Sequence, residues 1–96
     1  MSGAGLPPNA VVLESEIPEV HAEKLATETA LRTALTGLRG RWSARILCSR
    51  RDTWWMVLVE GPQFRWSGSF RDPSEQTAQI VTGRVTRALQ RRHLLD

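Results

Sequence analysis

The side chains best suited to catalysis here are His21, His93 and Cys48, and nothing in their spacing lets them cooperate. His21 lies near the start of the first helical stretch, His93 near the chain end, and Cys48 inside an apolar run. Neither histidine has a Cys, Asp or Glu at the separation that a metal site or a nucleophile–base–orienter triad requires. No glycine-rich phosphate loop follows a strand pattern, and paired carboxylates occur only among the glutamates of the first helix, where a solvated face explains them. A single cysteine makes neither an internal disulfide nor a thiolate zinc site, and its apolar setting predicts an inert buried thiol. The expectation is a protein that is not an enzyme and needs no cofactor or metal.

What remains is recognition chemistry. Trp54, Met56 and Leu58 alternate along one run, with Leu47 and Arg45 in the run before it and Arg65 in the run after it. Indole, thioether and guanidinium are the groups enriched at the centres of protein interfaces. The same indole beside two arginines also suits base stacking and phosphate pairing on single-stranded nucleic acid. Which chemistry applies depends on the elements that carry these residues.

Residues 39–96 contain three short apolar runs, about Trp42–Ser49, Thr53–Glu60 and Gln63–Phe70, separated only by Arg50-Arg51-Asp52 and Gly61-Pro62. Links this short make antiparallel hairpins. Pairing Ser49 with Trp54, and either Glu60 with Gln63 or Gly61 with Phe64, puts Ala44, Ile46, Cys48, Trp55, Val57, Val59, Phe64, Trp66, Gly68 and Phe70 on one face. That set is almost wholly apolar, as a core face should be, and Trp55 or a neighbouring ring is expected over Gly68. The other face then carries Arg45, Leu47, Trp54, Met56, Leu58 and Arg65. Such a stripe calls for a cover, whether a helix, the Ala10–Leu13 segment, a second copy or a ligand.

Upstream, residues 1–9 have no periodicity and read as a disordered tail, and residues 10–96 as one domain. Ala10–Leu13 is either an edge strand or a segment laid across the core. A helix is expected to begin near Ser15–Pro18 and to end at Gly37 or Gly40, with Ile17, Val20, Leu31, Ala34, Leu35 and Leu38 on its apolar stripe and interruptions at Lys24 and Thr27. Asp72-Pro73-Ser74-Glu75 is the clearest helix start, leading into a stripe of Ala78, Val81, Val85, Ala88, Leu89 and Leu95. The predicted fold is α+β in the order α-β-β-β-α, a three-stranded antiparallel meander with helices mainly on one face.

Charge is unevenly distributed. Residues 1–38 carry two basic and five acidic side chains, a net −3; residues 39–96 carry eleven arginines against five acids, a net +6. Arg84, Arg87 and Arg91 share one side of the last helix and form a candidate polyanion site, although a solvated face has the same spacing. Twelve of the thirteen basic residues are arginine, a bias that GC-rich codon usage produces without selection for binding. No apolar run approaches the roughly 20 residues of a membrane span and no signal-peptide pattern is present, so a cytoplasmic protein is expected. Its expected role is docking a protein partner or forming a homodimer through the Trp54 face, with single-stranded nucleic acid as the alternative ligand.

Overall fold

A computed structural model of the chain describes residues 10–49, 51 and 53–94. Its elements in chain order are β1 (Val11–Ser15), α1 (Lys24–Thr36), β2 (Trp42–Cys48), β3 (Trp55–Gly61), β4 (Phe64–Phe70), a 3-10 turn (Pro73–Glu75) and α2 (Ala78–Arg91). The strands form one sheet in the order β1-β2-β3-β4. The expected meander is present as β2, β3 and β4, but the sheet has four strands and is mixed. Val11–Ser15 pairs in parallel with Trp42–Ile46, so the three-stranded, wholly antiparallel expectation is corrected. A parallel pair needs a long crossover, and the segment containing α1 supplies it.

Hairpin register follows the turn geometry. Ser43 faces Glu60 and Cys48 faces Trp55, while Gly61 faces Phe64 and Trp55 faces Phe70. Thr53 and Gln63 take the left-handed backbone conformation (φ 53° and 55°) that these tight connections require. Arg50 and Asp52 of the first loop lie outside the described residues, as do residues 1–9 and Leu95.

Both helices lie on the same side of the sheet. Leu31 and Leu35 of α1 and Val81, Val85 and Leu89 of α2 join Ala44, Ile46, Trp55, Val57, Val59 and Phe70 in one core. Trp42 is sealed at the sheet end, its Nε1 donating to the Arg39 carbonyl at 2.8 Å and its ring tilted on Phe64 at 5.5 Å. Gly61 must lack a side chain, since a Cβ there would run into the buried Trp42 ring.

The helix starts differ from the sequence expectation, each for a physical reason. Helix α1 begins at Lys24 because the chain first completes the sheet: the Glu16 amide donates to the Ile46 carbonyl at 2.8 Å. The Ser15 hydroxyl accepts from the Ile17 amide at 3.2 Å, so it stabilises a turn and caps no helix. Ile17 is buried from this loop, while Val20 is 95% exposed and belongs to no stripe. Thr27, expected as an interruption, is completely buried against the sheet. Its helix ends with Gly37 as the cap, and Gly40 makes the positive-φ turn into β2.

The signal at Asp72 nucleates a 3-10 turn with a complete capping box, and α2 starts five residues after Pro73 with the Thr77 hydroxyl accepting from the Ile80 amide. Hydrogen bonds from Ser74, through its backbone first and then its hydroxyl, hold the Asp72 carboxyl below the usual carboxylate range.

Candidate functional site

The alternation of β2, β3 and β4 separates two adjacent indoles. Trp55 is 2% exposed in the core, where His21 stacks on it at 5.0 Å with a 57° tilt. Trp54, one residue before β3, falls on the opposite face and is half-buried, as are Leu47, Met56 and Leu58. All six sequence-predicted face residues therefore share one side of the sheet. Val12, Ser43, Glu60 and Arg65 form one row across it; Glu14, Arg45, Leu58 and Ser67 form the next; and Leu47, Met56 and Ser69 form a third. Both helices pack on the opposite side of the sheet from these rows.

The charges on this face are paired. Arg65 Nε donates to Glu60 Oε2 at 3.0 Å, and Arg45 Nε is 3.9 Å from Glu14 Oε2. Sequence reasoning anticipated Arg45 and Arg65 at the rim but left each without a companion in its own chain; strand β1 brings Glu14 beside Arg45. Opposite charges balance across the rim, and a depression of about 580 Å³ opens between Arg45, Arg65 and Leu58.

Residues outside the predicted set hold the face in place. Gln76 is buried and its Nε2 donates to the Thr53 carbonyl at 2.6 Å and to the Phe70 carbonyl at 2.9 Å. One amide thus ties the start of β3 to the end of β4, fixing the backbone at Trp54. Glu23 Oε1 accepts from the Ala78 amide at 3.1 Å, which joins the segment before α1 to the first turn of α2. Gln76 follows a helix-start motif, and that position alone gave no sign of burial.

Cys48 packs partly against the core, and burial, followed by the nearby Glu16 carboxylate, pushes its thiol up to about 11. Such a thiol stays protonated at neutral pH and is a poor nucleophile. Among the described residues no three His, Cys, Asp or Glu side chains form a group able to hold a metal ion, and no helix is long and apolar enough to cross a membrane.

Nothing matches this chain among protein-family models, curated proteins or solved structures. The three arginines of the candidate polyanion site differ in setting. Arg84 Nη1 donates to the Ser69 carbonyl at 2.8 Å and its guanidinium lies 4.3 Å from the Phe70 ring centroid, whereas Arg87 and Arg91 are exposed.

Proposed function

We propose that this chain is a non-enzymatic docking module whose open sheet face, Leu47, Trp54, Met56 and Leu58 rimmed by Arg45 and Arg65, takes up a protein partner or a second copy of itself. The observation that carries this reading is a half-buried apolar stripe on the side of the sheet opposite both helices, which no described helix covers. Folded monomers rarely leave more than a few hundred Å² of contiguous apolar surface in water. The indole supplies rigid area at small entropic cost, the flexible thioether adapts to the opposing surface, and the rim supplies direction.

Charge balance favours protein over nucleic acid. Phosphate binding draws on arginines whose charge is not already answered, and here Glu14 and Glu60 stand beside the two face arginines. The test compares wild-type chain with Trp54→Ala and the solvent-face control Arg87→Ala. Capture of a protein partner should be lost in Trp54→Ala and kept in Arg87→Ala. Equal binding by all three chains sinks the reading. Retention of wild type on single-stranded DNA that falls steeply with added salt, and that Trp54→Ala abolishes, replaces it with the nucleic-acid alternative.

A further inference from the structure

The two edges of the sheet are finished differently. In β4 the alternation sends the main-chain groups of residues 64, 66, 68 and 70 toward β3, so those of Gln63, Arg65, Ser67 and Ser69 point outward. Helix α2 and the residue that caps its end meet this edge with two guanidinium groups: Arg84 Nη1 donates to the Ser69 carbonyl at 2.8 Å and Arg92 Nη2 to the Gln63 carbonyl at 3.1 Å. Arginines standing on the outward carbonyls at both ends of a strand block its pairing with another chain.

Strand β1 carries no such guard among the described residues. The Ala10 carbonyl accepts from the Trp42 amide and the Glu16 amide donates to the Ile46 carbonyl, so even-numbered residues face β2 and Val11, Leu13 and Ser15 point outward. Among the described residues no side-chain donor reaches those carbonyls. The strand reads VVLES, with no Lys, Arg, Pro or Gly to discourage pairing, and Val12 is 40% exposed.

We propose that β1 is a dimerisation edge, pairing antiparallel with β1 of a second copy about a two-fold axis through Leu13. Val11 then faces Ser15 of the second copy, Leu13 faces its equivalent, and Val12 faces Glu14. All five residues overlap, and the outward groups form about six main-chain hydrogen bonds. A second copy is favoured because the outward set is self-complementary in this register. The guarded β4 edge also removes the alternative of β1 on β4, which repeats head to tail and grows into fibres. Glu14 enters the pair beside its own Arg45, so two unanswered carboxylates are not brought together. The product is one continuous eight-stranded sheet. This edge is distinct from the Trp54 face and stands without it.

The experiment uses sedimentation and a register-specific cross-link. Wild type should associate reversibly into dimers, and Trp54→Ala should still do so. Leu13→Pro removes an outward N–H and trims a side chain packed against the core, while the even-numbered groups that make the β1–β2 ladder stay in place; it should weaken dimerisation by about tenfold or more. For the cross-link, Cys48→Ala/Val12→Cys chains are mixed with Cys48→Ala/Glu14→Cys chains and oxidised. Disulfides between unlike chains should exceed those between like chains by about tenfold, since only residues 12 and 14 are directly opposed. A wild type that stays monomeric at high concentration overturns the proposal, as does equal cross-linking of like and unlike chains. A dimer abolished by Trp54→Ala yet untouched by Leu13→Pro also overturns it, and leaves the docking face standing.

Discussion

The two faces of one sheet carry large apolar side chains from the same strands, yet they meet different fates. On the helix side Ile46, Trp55, Val57, Val59 and Phe70 are all but inaccessible to water; on the other side Leu47, Trp54, Met56 and Leu58 remain half-buried. Composition does not distinguish them, since each face has a tryptophan in the same hairpin. Cover distinguishes them. A side chain sealed by α1 and α2 contributes to folding in proportion to the area it removes from water, and one that lacks a lid leaves part of that area in water.

The strongest way to break this contrast is to truncate the sealed member. Trp55→Ala should destabilise the fold by about 3–5 kcal/mol through lost transfer energy and an unfilled cavity, which approaches the whole stability of a domain this small. Urea denaturation followed by circular dichroism measures it, and a loss near zero means the faces have been exchanged. A gain is expected at Thr27, whose hydroxyl oxygen is buried without a hydrogen-bond partner. Thr27→Val should stabilise by about 1 kcal/mol by removing that orphan, seen as a higher urea midpoint at unchanged slope.

On the uncovered face the expected effects on folding shrink. Trp54→Ala should shift stability by less than about 1 kcal/mol while abolishing docking, since a half-buried ring leaves no sealed cavity. An unfolded Trp54→Ala protein would contradict the assignment outright. Smallest of all is Arg65→Ala: its ion pair with Glu60 is exposed on both sides, so the melting temperature should change by an amount worth no more than about 0.5 kcal/mol, and less in high salt.

A second contrast concerns Lys24 and Glu28. In sequence Lys24 is a polar break in an apolar stripe; in the structure its ammonium donates to the Ile17 carbonyl and to Glu28, each at 2.8 Å. The lysine fastens the loop that leaves β1 to the first turn of α1. Burial disfavours the Glu28 charge, but hydrogen bonds from Lys24 and Ser15 outweigh it and lower the carboxyl pKa. A lowered pKa in the folded state means stability that is present above the usual carboxylate range and lost as pH falls through the folded value.

How much could be read from the residues differs between the hairpins and everything else. Turns of a few residues leave few registers, and burying Arg45 or Arg65 is costly, so the parity of both hairpins was legible, and with it the opposite pointing of Trp54 and Trp55; the structure selects Gly61 opposite Phe64 over Glu60 opposite Gln63. The ring over Gly68 was legible as well, and it proves to be Trp66, which a Cβ at that position would meet at 2.6 Å.

By itself, then, the chain determined its local geometry: three strands, their parity, and the capping box at Asp72, all set by hydrogen-bond spacing between near neighbours. Tertiary structure decided what local spacing leaves open. Ala10–Leu13 had two possible fates, and pairing with β2 selected the strand; the same pairing used the Glu16 amide and delayed α1 to Lys24. Arg84 and Arg92 became guards of β4 only because α2 packs beside it. Pairings between distant segments compete for the same amides and carbonyls, and only the assembled core decides which of them are formed.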